Sequence, residues 1–387
     1  MVRAVVKVLV LAVVAGRASA GGPVLAQDAR PYEATAPQRQ LPTLETGGTG
    51  FFPYLDSVYD GGGLTLGAGY RRFFAPRAEW DIKGLYSLRQ YKFFEVSTTS
   101  AGHEDGWLIV RGRAGWRDAT EVGFYGVGME TLEDARANFR LQQAYAGGSA
   151  IWRATDRVVT AGAVDFEDFS MRPGLGDLPS VETLYSPLTA PRLGTSPAFV
   201  HSILTGAYDT RDRPGVATTG GYYGASLHSY IGTADADSFA RLDLHVLHHV
   251  PIRDRWIVSA RARLQTTLGD GRAVPYFLLP SVGSGGSLRA YPAARFRGLH
   301  AVLGTIEGRW LYREWTVDLL RSPVGLEFAS FYDLGQVAFA REDLFDDLAH
   351  DLGIGARVHW RNTTPVRIDF AKGGEGWRVV LSGAAPF

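Results

Sequence analysis

From about residue 50 onward, apolar and polar side chains alternate with a period of two. Between Val258 and Gln265, for example, the even positions are apolar or small, whereas the odd positions carry Ser259, Arg261 and Arg263. Successive side chains of a β-strand point to opposite faces, so each such run predicts a strand with one apolar and one charged face. The sequence therefore predicts an all-β protein.

The alternating runs and the turn residues between them predict about sixteen strands, and an even number is expected of a bacterial single-chain barrel. The count is open by about two, because the alternation from Thr120 to Ile151 is weak. The predicted strands lie near 50–59, 62–73, 78–87, 90–98, 107–117, 137–153, 157–170, 198–210, 221–231, 238–250, 255–267, 299–312, 323–337, 351–361, 364–371 and 376–383. A single helix-like stretch is predicted within a loop at 341–350.

Two architectures produce such alternation: a soluble β-sandwich and a transmembrane β-barrel. Many of the runs last about 9–13 residues, which suits a tilted crossing of a bilayer better than the usual strand of a soluble protein. Aromatic residues gather near strand ends, where the interfacial girdles of a barrel lie. These residues are Tyr70, Phe73, Trp107, Trp116, Tyr222, Tyr223, Trp256, Trp310, Tyr312, Trp360 and Trp377. We therefore predict a transmembrane antiparallel β-barrel.

The first residues have the features of an export signal. Arg3 and Lys7 precede the short apolar segment Val8–Ala15, and small residues that permit cleavage end at Ala20, with Ala26 as a second candidate. We predict a signal peptide at 1–20, a flexible periplasmic lead-in at 21–49 and an outer-membrane barrel at 50–387. The predicted location is the bacterial cell outer membrane.

Composition excludes some alternatives. The chain has 40 Lys and Arg against 40 Asp and Glu, so its formal charge gives no reason to expect a nucleic-acid partner. It contains no cysteine, so an exported protein of this sequence cannot be stabilised by disulfides. Closure of a sheet into a barrel is another source of stability, because it leaves no open strand edge.

Four motifs in the C-terminal half carry a resemblance to a known family. Together they resemble the bacterial surface antigen family, which comprises the barrels of the BamA/TamA outer-membrane assembly superfamily, and the resemblance is clearest over residues 198–387. The motifs are YDTRDRP at 208–214 followed by TGG at 219–221, GGSLRAY at 285–291 followed by RFRG at 295–298, FYDLGQV at 331–337, and GWRVVLSG at 376–383 before the terminal Phe387.

A long connection between residues 268 and 298 is the segment with the clearest functional expectation. At about 31 residues it is too long for an ordinary turn, and it carries Arg289, Arg295 and Arg297. The resemblance implies that this loop folds into the barrel lumen. Ala290 stands where the family signature has glycine, so a different turn is expected at the loop tip.

Strand parity places Glu307, Glu327, Asp333 and Arg309 on the lumenal face. In the family, the signature arginine packs against acidic residues of the next two strands. Carried over to this sequence, Arg289 is expected to contact Asp333 and Glu307 and so hold the loop in place. We call this predicted set the lumenal loop lock; its members are Arg289, Tyr291, Glu307, Asp333 and Gly335.

The last predicted strand has its own expected role. Trp377, Val379 and Leu381 should face lipid, and the chain ends on Phe387. A terminal aromatic residue on such a strand is how outer-membrane barrels are recognised by the insertion machinery, so this chain is expected to be a client of that machinery.

A search for catalytic or metal-binding residues predicts none, and no cofactor is expected. His245 and His249 share a face but lie about 13 Å apart along a strand, too far to bind one metal ion. The adjacent pairs His228-Ser229 and His201-Ser202 point to opposite faces and cannot act as base and nucleophile. The sequence favours a protein that is not an enzyme.

Three functions remain open. The barrel could assist insertion, assembly or export of envelope components through a weak seam between its first and last strands. It could be a passive pore, since sixteen strands enclose water unless a loop fills the lumen. It could also be a structural surface-antigen barrel. Family members that handle client proteins carry periplasmic POTRA domains, which we expect this barrel-only chain to lack, so a periplasmic partner in trans is a further possibility beside outer-membrane lipid.

Overall fold

The structure is a computed structural model that describes residues 49–54, 58–59, 61–62, 65–101, 107–213, 215–233, 236–284, 286–317, 322–360 and 363–382. The predicted signal peptide, nearly all of the lead-in and Phe387 lie outside these residues. The described strands are β1 (Gly50–Tyr54), β2 (Thr65–Ala75), β3 (Ala78–Ser87), β4 (Lys92–Ala101), β5 (Leu108–Phe124), β6 (Ala137–Arg153), β7 (Val158–Pro173), β8 (Ala198–Asp209), β9 (Gly220–Thr233), β10 (Phe239–Arg253), β11 (Trp256–Leu268), β12 (Ser281–Val282), β13 (Phe296–Arg297), β14 (His300–Val317), β15 (Ser322–Ala338), β16 (Ala349–Trp360), β17 (Thr363–Gly373) and β18 (Gly376–Ser382).

Sixteen of these strands form one antiparallel sheet in which neighbours in sequence are neighbours in space. β12 and β13 are the exception: they form a separate two-stranded ladder inside the connection between β11 and β14. Hairpin connections of this kind need only local pairing between consecutive strands. The predicted antiparallel all-β architecture with sixteen barrel strands is confirmed.

The two faces of the sheet differ as the alternation predicts. Leu204, Ile354 and Leu381 on the outer face are 66%, 65% and 74% exposed, whereas Glu307 and Asp369 on the inner face are fully buried. Apolar side chains therefore face outward and ionised side chains face an enclosed interior, the arrangement expected of a barrel in lipid. In the part of the chain that the structure describes, no helix has the length and apolar character needed to cross a bilayer.

The connections divide into two classes at the two ends of the barrel. One end, which we call the turn rim, carries the connections 76–77, 154–157 and 254–255, together with the start of β1 and the end of β18. The opposite end, the loop rim, carries the connections 125–136, 174–197, 269–299 and 339–348. Outer-membrane barrels have short periplasmic turns and longer extracellular loops. The turn rim is accordingly periplasmic.

The apolar core lies inside the barrel near the loop rim. Tyr276 and Phe277 of the long connection are 1% and 3% exposed and belong to one cluster with residues of several strands. The Tyr276 ring packs edge-to-face on Phe124 and Phe139, with centroids 5.1 and 5.0 Å apart, and Phe277 lies 5.2 Å from Phe169. The long connection thus supplies apolar filling that strand residues alone do not provide.

The helix prediction was wrong. The four-residue helix α1 (Val181–Leu184) lies in the β7–β8 loop, whereas 341–347 forms turns and β16 already begins at Ala349. The cause is the Gln336 side chain, which donates to the Asp343 carbonyl at 2.7 Å and accepts from the Phe345 amide at 2.6 Å. These contacts satisfy backbone groups that a helix would otherwise pair.

Two residues assigned to the interfacial girdle are buried instead. Tyr222 is 1% exposed and lies beneath the Arg211 guanidinium on the inner face, 5.2 Å from its ring centroid. Trp360 is 7% exposed and packs with Val324 and Val358. Aromatic composition near a strand end therefore does not reveal whether the ring is exposed to lipid.

Candidate functional site

The candidate site is the long connection 269–299, which turns inward from the loop rim. Its two arms pair in the β12–β13 ladder, where Ser281 is opposite Arg297 and Val282 opposite Phe296. Gly283 follows with φ of 107°, and a Cβ there would lie 2.4 Å from the Pro292 carbonyl oxygen. Glycine is required at this close approach because any side chain would collide with the returning arm.

Arg289, at the tip of this loop, is 1% exposed and faces three carboxylates. Its Nε lies 2.9 Å from Asp333 Oδ2, and its Nη1 lies 3.1 Å from Glu307 Oε2 and 3.3 Å from Asp369 Oδ2. These acids come from β15, β14 and β17 respectively. One loop side chain thus bridges three strands of the wall.

An aromatic ring completes the Arg289 environment. The guanidinium carbon lies 3.6 Å from the ring centroid of Phe331, which is on β15 two residues before Asp333. Stacking on a ring face and pairing with carboxylates use different directions of the planar guanidinium, so the two contacts are compatible. A desolvated cation over an aromatic face adds about 2 kcal/mol in favourable cases.

Two of the three acids, Glu307 and Asp369, also belong to a wider ionic network on the wall. Arg357 Nη1 lies 2.7 Å from Glu307 and 3.0 Å from Glu327, while Arg309 Nη2 lies 2.8 Å from Glu327. Arg367 Nε is 3.1 Å from Asp369. Because the acids alternate with arginines, each buried charge has at least one opposite neighbour. Removal of one member of such a buried set typically costs about 3–5 kcal/mol.

The other two residues of the predicted lock also lie at the loop. The Tyr291 hydroxyl accepts from the Gly374 amide at 3.1 Å, in the turn between β17 and β18. At Gly335, an added Cβ would lie 3.3 Å from the Val302 carbonyl oxygen and 3.4 Å from the Leu288 side chain. Gly335 therefore leaves room for Leu288, which is fully buried.

The Ala290 backbone fits its position without a left-handed turn. Ala290 is not among the described non-glycine residues with positive φ, whereas Ala294 is, with φ of 49°. The Ala290 amide donates to Asp351 Oδ2 at 2.8 Å, which ties the tip to β16. Alanine in place of the family glycine therefore introduces no backbone strain here.

Arg295 makes a second set of buried contacts that strand parity does not reveal. Its Nε lies 2.6 Å from Glu375 in the β17–β18 turn, and its Nη1 donates to Thr131 Oγ1 at 2.6 Å in the β5–β6 loop. Its guanidinium also lies over Tyr125 and Phe296, 4.9 and 4.5 Å from the ring centroids. One loop side chain thus joins the terminal hairpin to a loop from the first third of the sheet.

A segment from the periplasmic end reaches the same interior. In the β8–β9 connection, Val216 and Ala217 are buried, and the Ala217 carbonyl accepts from Arg309 Nη1 at 2.7 Å. Arg211 lies 3.0 Å from Asp209, and both are buried. Asp209 and Arg211 of the 208–214 motif, together with Val216 and Ala217, therefore fill the lumen from below. Arg309 links this segment to Glu327 of the wall.

The terminal strand residues lie on the outer face. Trp377, Val379 and Leu381 are 73%, 57% and 74% exposed, and the Lys372 ammonium lies 5.6 Å from the Trp377 ring centroid. These positions suit contact with acyl chains.

The polar clusters described elsewhere in the barrel are small. His201 lies 3.2 Å from Glu167 and 3.1 Å from His228, and His249 lies 2.7 Å from Ser259. The Ser259 side chain is fully buried. Across the described ranges, no three His, Asp or Glu side chains are placed to bind one metal ion.

Comparison with known proteins places this arrangement in a structural class. No family model and no curated protein matches the chain. Among solved structures, it is similar to BamA from Haemophilus ducreyi lacking POTRA domains 1–3, with a TM-score of 0.60 at 15% identity over 86% of this chain and 69% of that one. The chain has the fold of the BamA barrel.

CdiB from Escherichia coli has a similar fold, with a TM-score of 0.54 at 13% identity over 87% of this chain and 60% of that one. At this low identity, the shared BamA-type fold says nothing by itself about activity. It does confirm the resemblance at the level of architecture. Together with the apolar outer face, the BamA-type fold supports the predicted location in the outer membrane.

Proposed function

We propose that this BamA-type barrel assists the insertion, assembly or export of envelope components, and that it acts through the seam between β1 and β18. The observation that carries the proposal is the short length of the two seam strands and the lack of strand pairing described between them. Within the described residues, β1 and β18 are the two ends of the sheet, and no backbone pairing joins them. β1 spans five residues and β18 seven, whereas β14 and β15 span 18 and 17.

The contacts of the loop support this proposal. Arg295 and Tyr291 hold the β17–β18 turn through Glu375 and Gly374. The terminal hairpin is thus fixed at its extracellular end by the loop, while its edge toward β1 makes no strand pairs in the described residues. The edge strand of a sheet is a template on which an incoming strand can pair.

Under this proposal, lipid of the outer membrane surrounds the barrel, and a periplasmic partner in trans presents the client chain. The protein would itself be exported by its signal peptide at 1–20 and inserted through its terminal strand, with Phe387 as the recognition residue. None of the residues involved is catalytic.

A disulfide across the seam tests the proposal. Because the sequence contains no cysteine, a single pair of cysteines can be introduced without competing disulfides. One cysteine replaces a residue of 50–54 and the other a residue of 376–382. The probe is an unfolded eight-stranded outer-membrane barrel, offered to vesicles that contain the oxidised or the reduced protein. We expect the reduced protein to accelerate insertion of the probe into the vesicles. Oxidation should abolish this acceleration, and reduction should restore it.

A matched control uses a seam that should not open. Thr205 and Ser226 are paired between β8 and β9, with hydroxyl oxygens 2.9 Å apart, so the variant Thr205→Cys/Ser226→Cys places a disulfide inside the sheet. This variant should insert the probe equally well when oxidised and reduced. Equal activity of the seam-crosslinked protein in both states would refute the proposed role of the seam.

The pore alternative has a separate readout. Arg289, Arg295 and the buried β8–β9 segment fill the lumen from both ends, which favours low conductance. Large and stable single-channel currents from the unmodified protein, unchanged by the seam disulfide, would instead support a passive pore.

A further inference from the structure

A row of aromatic rings crosses the outer face near the turn rim. Trp256 on β11 is paired with Trp310 on β14, which is paired with Phe328 on β15, so the three side chains lie at the same height. The two indoles are stacked, with centroids 5.8 Å apart and planes within 11°. Tyr312 packs edge-to-face on Trp310 at 5.2 Å. We call these four residues the aromatic patch.

A bulge in β14 brings a cation to this patch. The register shifts between Leu311, which is opposite lumenal Glu327, and Arg313, which is opposite Leu326. Leu326 lies on the same face as Phe328, so Arg313 faces outward directly after Tyr312. A bulge can place two consecutive side chains on one face in this way. Glu314 is paired with Gly325 and so points to the inner face.

A second bulge does the same in β10. The register shifts between Pro251 and Arg253, and Arg253 is opposite Trp256. Paired residues share a face, so Arg253 also points outward beside the patch, and it is exposed. Two strand spacings separate β10 from β14, and Arg313 lies three residues beyond Trp310 along its strand. Arg253 and Arg313 therefore lie on two sides of the stacked indoles, roughly 12–14 Å apart between Cα atoms.

The neighbouring charges leave an excess of cations. Arg255 donates from Nη1 to the Tyr312 carbonyl at 3.1 Å, which fixes it at the patch edge. Asp254, in the two-residue β10–β11 turn, is the exposed carboxylate of this hairpin. Of the residues that the structure describes at this rim, three arginines thus surround the patch on its membrane-facing and periplasmic sides, with the Asp254 carboxylate between two of them.

We propose that the aromatic patch and its flanking arginines form a binding site for an anionic phospholipid of the periplasmic leaflet. The exposed rings continue the apolar outer face and accept acyl chains, while Arg253 and Arg313 bind the headgroup phosphate. Amphipathic rings prefer the headgroup level of a bilayer, and guanidinium groups pair well with phosphate oxygens. A zwitterionic headgroup would present its own amine to the same arginines and is disfavoured.

Native mass spectrometry of protein released from bilayers tests the site. The bilayers contain equal amounts of phosphatidylglycerol and phosphatidylethanolamine, and the ratio of the two lipids retained on the barrel is measured. The unmodified protein should retain phosphatidylglycerol preferentially. In Arg253→Gln/Arg313→Gln the preference should fall by about fivefold for each arginine removed, since one cation near an anionic surface contributes about 1 kcal/mol.

The control is the variant Arg172→Gln/Arg341→Gln, which removes two exposed arginines from the loop rim. It should keep the preference for phosphatidylglycerol. The variant Arg253→Lys/Arg313→Lys keeps both charges and should retain most of it, which separates charge from folding defects. An unchanged lipid ratio in Arg253→Gln/Arg313→Gln, or an equal loss in the loop-rim control, would overturn the proposal.

Discussion

The burial of Arg289 depends on carboxylates from three different strands of the barrel wall. It is buried at the loop tip and bridges Glu307, Asp333 and Asp369, which stand on three strands. A charge in this position is tolerated only because opposite charges surround it, since the desolvation of an unpaired ion costs several kcal/mol. The contact therefore holds the loop only when all three strands are in place.

The variant Arg289→Ala should be strongly destabilised, because three carboxylates lose a shared cation. We expect the free energy of unfolding to fall by about 3–5 kcal/mol. On heat-modifiability gels the compact form should convert to the unfolded form at a lower temperature, and conductance in planar bilayers should rise. Arg192→Ala is the matched control: Arg192 pairs with Asp237, and the two side chains are 35% and 55% exposed, so its loss should cost about 1 kcal/mol or less. An unaltered gel shift in Arg289→Ala would contradict the lock.

Lysine should not replace arginine at this position. Arg289→Lys keeps the charge, but an ammonium cannot address Asp333 and Glu307 in fixed directions while it also stacks on Phe331. We expect about half of the destabilisation seen in Arg289→Ala, measured by the same gel shift. Full stability in Arg289→Lys would show that charge alone holds the loop.

At the scale of the elements, the β8–β9 connection is the periplasmic counterpart of the long loop. Asp212 organises its turn: the carboxylate accepts from the Thr218 amide at 2.8 Å, the Thr218 hydroxyl at 2.7 Å and the Thr219 amide at 3.2 Å. Partial burial favours a higher pKa for the Asp212 carboxyl, but the hydrogen bonds from Thr218 and Thr219 outweigh it and hold the pKa below its usual value. The charged form is thus the one that the fold stabilises.

This turn should loosen in acid. Because the pKa of Asp212 is lower in the folded state, its contribution is fully present above the unfolded pKa of about 4 and is lost as the pH falls through the folded value. Hydrogen exchange of the Thr218 and Thr219 amides, corrected for intrinsic rates, should show faster opening below about pH 4 in the natural protein. Asp212→Ala should show the fast opening already at neutral pH, and slow opening there would refute a stabilising role of the Asp212 carboxylate in this turn.

The terminal hairpin depends on the long loop rather than on its own turn. Arg295 contacts both Glu375 and Thr131. A substitution at Glu375 should therefore weaken the pairing of β18, the strand at the seam. We expect Glu375→Gln to accelerate hydrogen exchange in β18 while the β8–β9 pair is unaffected. Exchange that is unchanged in β18, or raised equally in both regions, would argue against a link between loop and hairpin.

At the scale of the whole molecule, the sequence predicts the barrel well because a membrane imposes a strict rule. Every strand must present apolar residues to lipid at alternate positions, and Val258–Gln265 shows this rule directly. The same parity placed Glu307, Glu327, Asp333 and Arg309 on the inner face, where the structure also has them. Asp369, Arg357 and Arg367 obey the same parity and could have been added to the network.

Contacts made by loops were not predictable in this way. Arg295 meets Thr131 across 164 positions of sequence and Glu375 across 80, and neither partner lies in an alternating run. The bulges at Arg253 and Arg313 break the period locally, so parity alone places these arginines wrongly. The Gln336 contacts that replace the expected helix are likewise tertiary.

The position of Asp369 on β17, far from Arg289 in sequence, affects the order in which the barrel can fold. Arg289 precedes it by 80 positions, and the Ala290 amide meets Asp351 on the strand before. Consider a folding intermediate in which β14 and β15 have formed but β16 to β18 have not. In this intermediate Arg289 either stays in water or is buried with only Glu307 and Asp333 to balance its charge. The inner face of the sheet thus reaches its low-energy state only after β17 has joined, so a substitution at Asp369 should slow folding of the barrel as well as destabilise the folded protein.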